Sequence, residues 1–248
     1  MTGAAQHSDP AVALQSAIAD LVAANHILFR EGIVDAFGHV TVRHPFDPGR
    51  YLMARSMQPV FVASRDIVEL DLDSKPVAKD APSVSFERFI HGEIYRLRPD
   101  VKAIVHSHAP SVLPFGVAKG TPLRAICHTC GFLGGGAPIF EIREFAGDST
   151  NLLVQTNSLG AALARCLGDS TVVLMRGHGF TVAGGSLREA VYNAINTDLN
   201  ARVEMDALRL GTVTYLSDGE AAAVSRLHNN SIDRHWDIWT KRAAGELP

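Results

Sequence analysis

A short apolar run that ends in two histidines is the feature that most constrains this chain. Residues 101–105 read Val-Lys-Ala-Ile-Val, and His106-Ser107-His108 follows directly. Because side chains alternate along a β-strand, the two imidazoles lie on one face. A lone histidine on an apolar strand is usually satisfied within the core, whereas two on one face are costly to bury without a partner. The run therefore predicts a buried strand that ends at a divalent-metal site, since such ions need converging ligand atoms.

Two further segments offer ligands for the same ion. His178 lies between Gly177 and Gly179 after a second apolar run, an arrangement that also suits a tight hairpin with an incidental histidine. Glu87 precedes His91 by one helical turn, so both share a helix face, as a solvated pair also would. A site with histidine ligands from His106, His108 and His178 leaves a position open for water or substrate, which is typical of catalytic metals. Glu87 is then either a fourth ligand or a general acid/base.

The bulk composition indicates an ordinary globular protein. The chain has 248 residues, 46% hydrophobic and 20% charged, and its net charge of −3 provides no basic footprint for nucleic acid. We expect neither a membrane-spanning segment nor a secretory signal. The chain has three cysteines, which do not form a secreted disulfide framework, so the cytoplasm is the expected location. We expect residues 1–9 to be flexible and residues 10–248 to form one domain.

Periodicity predicts an α/β domain with several adjacent, mainly antiparallel strands. A capping box at Ser186 and Glu189 marks the start of the last long helix, which Gly211 ends. Strands are expected at 38–43, 51–53, 61–63, 67–72, 101–108 and 171–175, and helices at 10–31, 83–97, 109–119, 158–167 and 186–211. The glycine-rich stretch 127–140 is expected to be a loop.

The segment Cys127-His128-Thr129-Cys130 resembles a redox or zinc motif only superficially. The chain has no second CxxC pair to complete a four-cysteine zinc site, and no thioredoxin-like pattern surrounds this one. His128 is the more informative member, because it is a candidate proton donor on a glycine-rich loop. No GxGxxG or P-loop motif occurs in the sequence.

Taken together, these segments resemble the class II aldolase/adducin superfamily. The resemblance rests on residues 38–43 (Gly-His-Val-Thr-Val-Arg), 85–91 (Ser-Phe-Glu-Arg-Phe-Ile-His), 106–108 and 176–179, which occur in the family's order and spacing. It implies an α/β/α sandwich with a central, mainly antiparallel sheet, and homotetramers with sites at subunit interfaces. It also implies that His106, His108 and His178 hold a divalent ion and that Glu87 is the catalytic carboxylate.

Departures from the family pattern point away from sugar phosphates. Family aldolases hold phosphate with a Gly-Asn pair, a Ser-Gly turn and a Ser-Ser pair. Here His39, Met57 and Phe86 replace one residue of each. A phosphate is cradled by a nest of backbone N–H groups that glycine permits, and this nest is altered. The remaining cationic and aromatic side chains suit a flat, anionic aromatic acid. The expected substrate contacts are His39, Arg55, Ser56 and Phe86.

The segments 37–40, 55–56 and 87–93 resemble the family's decarboxylase branch, which acts on hydroxy-aromatic dicarboxylates of pyridine or benzene. The expected chemistry is loss of CO2 assisted by Mn²⁺, Zn²⁺, Co²⁺ or Fe²⁺ as Lewis acid. Glu87 or His128 would supply the proton, and Arg55 would bind the second carboxylate. Three alternatives remain: an aldolase for an unphosphorylated hydroxy-keto acid or sugar derivative, an iron-dependent oxygenase, and a non-catalytic adducin-like module.

Overall fold

A mixed sheet of seven strands organises the molecule, in the spatial order β3-β2-β1-β4-β7-β6-β5. The structure is a computed structural model that describes residues 9–229 and 231–247. Every neighbouring pair is antiparallel except β5 and β6, which are parallel. The strands are β1 His39–Arg43, β2 Arg50–Ala54, β3 Ile67–Asp71, β4 Ala103–Ser107, β5 Ile139–Phe140, β6 Val172–Met175 and β7 Gly179–Gly184.

The α-helices of the described chain connect these strands and cover both faces of the sheet. They are α1 Pro10–Arg30, α2 Phe89–Leu97, α3 Leu113–Val117, α4 Arg143–Ala146, α5 Asn157–Leu167, α6 Leu187–Leu210, α7 Asp218–Asn229 and α8 Ile232–Ala243. The predicted N-cap of α6 forms, since Ser186 Oγ accepts from the Glu189 amide. The reciprocal bond of the expected capping box is shifted by one residue, because the Glu189 carboxylate accepts from the Gly185 amide rather than from Ser186.

Alternate strand residues feed two separate hydrophobic cores. On β4, Ala103 and Val105 lie in the core shared with α1, α6 and α8, whereas Ile104 lies in the core shared with α2 and α5. This alternation follows from the two-residue period of a strand and explains why β4 is apolar throughout. The α/β/α sandwich with a mainly antiparallel sheet is thereby confirmed.

Helix α1 is long and apolar enough to cross a membrane by length and composition alone, with a mean hydropathy of 1.5. One side of α1 belongs to the core, where Leu21, Ala24, Ile27 and Leu28 are fully buried. The expected flexible segment 1–9 falls almost entirely outside the described residues.

Two predictions of local structure were wrong. The strand expected at 61–63 is replaced by a 3₁₀ turn, Pro59–Phe61, in which the Val62 amide donates to the Pro59 carbonyl. The helix expected from residue 83 begins at Phe89. Val84 instead forms a β-bridge with Arg55, and the Glu87 amide donates to Ser85 Oγ in a turn. That non-helical entry leaves Glu87 before the helix, directed at the end of β4 rather than along a helix face.

The remaining differences are one strand that was not predicted and two segments whose helices or strands differ in length from those expected. Strand β7 was not predicted, and it is entirely buried between β4 and β6. The helix expected at 109–119 is limited to α3. The expected loop at 127–140 contains a 3₁₀ segment, His128–Leu133, and the short strand β5.

The close packing of α2 against α5 yields a stability prediction. A Cβ added at Gly160 on α5 would lie 2.4 Å from the carbonyl oxygen of Phe89, so Gly160→Ala forces the helices apart. We expect the free energy of unfolding in urea to fall by about 1–3 kcal/mol, despite alanine's higher helix propensity. Gly219→Ala on α7 is the matched control, because the nearest atom to its Cβ is 4.0 Å away. Equal stability of the two variants would contradict the tight α2–α5 contact.

Candidate metal centre

Four side chains from three parts of the chain converge at the end of β4. The ligand atoms of Glu87, His106, His108 and His178 all lie within 4.8 Å of one another. His108 Nε2 lies 2.9 Å from His106 Nε2 and 3.0 Å from His178 Nε2. Among the described residues this is the one group of three or more such side chains found close enough to share an ion.

The pairing of β4 with β7 positions the histidines. His106 lies opposite Thr181, and Ser107 lies opposite Phe180. The turn before β7 passes very close to β4, because a Cβ at Gly179 would lie 2.1 Å from the Ser107 carbonyl oxygen. Gly177 in the same turn has a φ of 67°, in the left-handed region that favours glycine. The two glycines flanking His178 therefore let its ring reach the end of β4.

Backbone carbonyls set the tautomers of two ligand candidates. His106 Nδ1 lies 3.1 Å from the Phe180 carbonyl oxygen, and His178 Nδ1 lies 2.9 Å from the Leu152 carbonyl oxygen. A carbonyl can only accept, so both Nδ1 atoms carry the proton and both Nε2 lone pairs face the centre of the cluster. Metal-binding histidines commonly donate their other ring N–H to a backbone carbonyl in this way, which fixes the tautomer and the orientation of the ring.

The spacing of the donor atoms fits a transition-metal ion. Ligands about 2.1 Å from an ion are about 3.0 Å apart at a right angle and about 3.4 Å apart in a tetrahedron. The nitrogen pairs at 2.9 and 3.0 Å, and the distances of 3.6 and 3.3 Å from Glu87 Oε2 to His106 and His178, fall near these values. Neutral imidazoles with one carboxylate are a donor set suited to Mn²⁺, Fe²⁺, Co²⁺ or Zn²⁺.

Electrostatics favour the metal-binding form of His108, whereas His178 and Glu87 share a proton that an ion would displace. Burial acts to lower the pKa of His178, but its hydrogen bond with Glu87 outweighs burial and raises it. Burial, and then the neighbouring His106 and His178 rings, lower the pKa of His108 to about 4, so its imidazole is neutral at pH 7. Burial acts to raise the pKa of Glu87, but the adjacent His106 and His178 imidazoles outweigh it and hold the pKa below its usual range. Glu87 Oε1 accepts from the Val154 amide at 3.0 Å, which leaves Oε2 facing the histidines.

A cleft of about 710 Å³ opens beside the cluster. Glu87 and His108 line its inner end, and the rings of Phe37 and Phe86 lie near its mouth, 71% and 72% exposed. All the substrate contacts expected from the sequence line this cleft: His39, Arg55, Ser56 and Phe86.

Arg55 is held in the cleft by an acidic residue that the sequence analysis missed. Its Nε donates to Asp66 Oδ1 at 2.8 Å, and Asp66 Oδ2 accepts from the Ala63 amide at 3.0 Å. The hydrogen bond from Arg55, followed by that from Ala63, lowers the pKa of Asp66. No hydrogen bond within the described chain engages the two Nη atoms of Arg55, so they can bind a ligand. An acidic residue eleven positions from an arginine carries no sequence signal, because the pairing depends on the β2–β3 register.

His128 lies apart from the cluster within one chain. It begins the 3₁₀ segment His128–Leu133, is exposed, and is not among the residues that line the cleft. Its neighbour Cys127 has its Sγ 2.9 Å from that of Cys130, and both are free thiols. The catalytic role of His128 thus remains a prediction.

Comparison with known proteins places these features in a family. The profile described as "Class II Aldolase and Adducin N-terminal domain" matches residues 19–205. "Decarboxylase tropJ" from Talaromyces stipitatus is 38% identical over 239 residues, 87% of this chain and 90% of that protein. "3,4-dihydroxyphthalate decarboxylase" from Arthrobacter keyseri is 32% identical over 200 residues, 75% of this chain and 76% of that protein.

A solved structure agrees with the sheet and its helices. "L-fuculose 1-phosphate aldolase from Glaciozyma antarctica PI12" superposes with a TM-score of 0.79 at 19% identity, covering 98% of this chain and 96% of that one. At this identity the likeness concerns the fold. The family profile and the relatives carry the assignment: this chain belongs to the class II aldolase and adducin family, as its sequence resemblance predicted.

Proposed function

We propose that this protein is a metal-dependent decarboxylase that removes CO2 from a hydroxy-aromatic acid, with a dicarboxylate as the best substrate class. The observation that carries this proposal is the cluster of three inward-facing imidazoles and Glu87 at the end of an aromatic, arginine-containing cleft. Two relatives, a decarboxylase and a 3,4-dihydroxyphthalate decarboxylase, support the same chemistry. The retained ligand set makes the chain an enzyme rather than an adducin-like module.

His106, His108 and His178 would hold the divalent ion, and Glu87 Oε2 would complete its ligands until substrate arrives. When bound, the ion supplies Lewis-acid polarisation of the substrate's hydroxyl and carboxylate oxygens. The Phe180 and Leu152 carbonyls keep two of the imidazoles oriented for this purpose. The histidine set accommodates Mn²⁺, Zn²⁺, Co²⁺ or Fe²⁺.

Decarboxylation needs one proton delivered to the ring carbon that bears the carboxylate. That carbon gains the proton, the bond to the carboxylate carbon breaks, CO2 leaves, and the electron pair of the broken bond restores the aromatic ring. Glu87 is ionised in the cluster, so it would first take a proton from the substrate's hydroxyl as that group binds. Oε2 could then deliver this proton to the ring carbon while the Val154 amide fixes Oε1. His128 is the other candidate donor, and it would have to reach the cleft from outside the cluster.

The cleft supplies the contacts for a flat dianion. The free Nη atoms of Arg55 can form a bidentate pair with a carboxylate, and Asp66 restrains the guanidinium so that less side-chain entropy is lost on binding. Ser56 offers a hydroxyl on the same wall, and the Phe86 ring offers an apolar face. Phosphate is disfavoured because Met57 and Phe86 occupy walls of this cleft.

Assembly and location form part of the proposal. A homotetramer with sites at subunit interfaces would cover the exposed rings of Phe37 and Phe86 at the mouth of the cleft. A cytoplasmic location fits the three free cysteines, since cytosolic thiols stay reduced. A small-molecule substrate, with neither nucleic acid nor membrane as partner, fits the net charge of −3 and the size of the cleft.

Metal dependence is tested with His106→Ala. We expect wild-type protein to contain stoichiometric divalent metal, and the variant to lose it, because removing one of three imidazoles opens the site. An ion at 100 times its dissociation constant adds about 2.7 kcal/mol to the free energy of unfolding. Chelation by EDTA should therefore lower the Tm of the wild-type protein and leave that of His106→Ala unchanged. His44→Ala is the control, since this histidine bonds the Phe46 and Asp47 amides. Equal metal content in wild type and His106→Ala would contradict the site.

The reaction is tested by measuring products from 3,4-dihydroxyphthalate and from hydroxy-keto acids with the metal-loaded enzyme. We expect CO2 from the aromatic acid and neither aldehyde nor pyruvate from the keto acids. Glu87→Gln should keep its metal and lower kcat by about 10²- to 10⁴-fold, because the amide cannot transfer the proton.

Parallel variants separate the possible outcomes of that assay. If His128→Ala lowers kcat to that extent and Glu87→Gln does not, His128 supplies the proton. Aldehyde or pyruvate without CO2 would establish an aldolase, and consumption of O2 would establish an oxygenase.

Recognition of the carboxylate is tested with Arg55→Met. We expect kcat/KM to fall by about 10- to 100-fold, since a charge-assisted hydrogen bond contributes about 1.5–3 kcal/mol. The loss should be much smaller for an analogue that lacks the second carboxylate. Arg50→Met is the matched control, because Arg50 lies at the other end of β2 and pairs with Glu69. An equal fall in kcat/KM for the dicarboxylate and for the analogue would show that Arg55 does not bind the second carboxylate.

A further inference from the structure

A row of four hydrogen-bonded side chains runs from the cleft into the protein interior. His39 Nδ1 lies 2.7 Å from His91 Nε2, and His91 Nδ1 lies 2.8 Å from Thr41 Oγ1. Thr41 Oγ1 lies 2.9 Å from the Tyr95 hydroxyl, where the row ends. We call these four residues the His39 row.

The row joins one face of β1 to one face of α2. His39 and Thr41 are two residues apart on the strand, and His91 and Tyr95 are four residues apart on the helix, so each pair shares a face. Thr41 and His91 are fully buried, and Tyr95 is 1% exposed. Water therefore cannot satisfy the inner members, and each buried hydrogen needs an acceptor within the row.

This requirement sets the direction of the hydrogen bonds. Within residues 9–229 and 231–247 the Tyr95 hydroxyl bonds only Thr41, so it must donate to Thr41 Oγ1. Thr41 must then donate its own hydrogen to His91 Nδ1. A neutral His91 consequently carries its proton on Nε2 and donates to His39 Nδ1. His39 is left with its proton on Nε2.

Both other directions leave a buried hydroxyl hydrogen without an acceptor. If Thr41 donated to Tyr95, the Tyr95 hydrogen would have none. If Thr41 accepted from both His91 and Tyr95, its own hydrogen would have none. Either arrangement would destabilise the folded protein by about 1–3 kcal/mol, because a buried donor would lack an acceptor. Burial, followed by the nearby His106, lowers the pKa of His91 to about 3, in keeping with a neutral ring.

The outer end of the row faces the candidate metal centre. His39 lines the cleft, and its ring centroid lies 5.0 Å from that of His106, the residue opposite it on β4. Among the described residues no hydrogen bond engages His39 Nε2. Its hydrogen is thus available to a group bound in the cleft that His39 lines.

We propose that the His39 row holds His39 as the Nε2–H tautomer, which donates a hydrogen bond to a substrate oxygen beside the metal centre. His91, Thr41 and Tyr95 are positioning residues that act through His39. The proposal rests on the proposed function and sharpens its substrate: the group facing His39 must accept a hydrogen bond, as a carboxylate or phenolate oxygen does. A substrate that presents only a donor there, such as an ammonium group, would be rejected.

Nitrogen NMR of ring-labelled histidine in the zinc-loaded enzyme tests the tautomer directly. The two-bond proton–nitrogen pattern of His39, assigned by its loss in His39→Gln, distinguishes Nε2–H from Nδ1–H. Thr41→Val removes the hydroxyl and should allow both tautomers, and kcat/KM for 3,4-dihydroxyphthalate should fall in proportion to the lost Nε2–H population, by about 2- to 10-fold. Thr41→Ser keeps the hydroxyl and should rescue both the pattern and the rate.

The wild-type spectrum decides the proposal even if Thr41→Val does not fold. An Nδ1–H tautomer in wild type would overturn it, as would a Thr41→Val enzyme with an unchanged His39 pattern. The spectrum is recorded without substrate, so a failure to decarboxylate 3,4-dihydroxyphthalate would count against the proposed function and leave the result for the row intact.

Discussion

The antiparallel pairing of β4 with β7 is the constraint on which the site depends. It places His106 opposite Thr181 and brings the Gly179 backbone against the Ser107 carbonyl. From this one contact His178 reaches His108, and the Phe180 carbonyl receives the His106 Nδ1 hydrogen. A side chain at position 179 would push the strands apart and separate the ligands. The metal site is therefore a property of strand register as much as of histidine content.

Around this centre, hydrogen-bond partners fix the orientation of the buried polar side chains. Carbonyls orient two ligand imidazoles, the Val154 amide fixes one oxygen of Glu87, and Asp66 restrains Arg55. In a poorly solvated interior such preorganised dipoles act strongly, because little water competes with them. The cleft thus has a rigid end, where a histidine and carboxylate cluster is able to hold a metal ion, and an open aromatic end, and the proposed function rests on this combination.

Sequence reasoning succeeded where a local pattern reports burial directly. The apolar runs of β1 and β4, the Ser186 N-cap of α6 and the grouping of three histidines with Glu87 are all present in the structure. Sequence reasoning was wrong where the same pattern of apolar residues is compatible with two kinds of local structure. The apolar residues at 61–63 suit a strand, yet Pro59 starts a 3₁₀ turn. Residues 83–88 continue a helical stripe, yet Val84 pairs with Arg55 and delays the helix.

The sequence by itself determined the fold class, the family and the identity of the converging ligands, because periodicity and motif spacing are local properties of the chain. Only the tertiary structure decided which nitrogen of each imidazole faces the centre, which acid restrains Arg55, and that His91, Thr41 and Tyr95 stand behind His39. These facts depend on which backbone carbonyl or hydroxyl lies within about 3 Å, and residues fifty or more positions apart meet at that distance only once the sheet has its register.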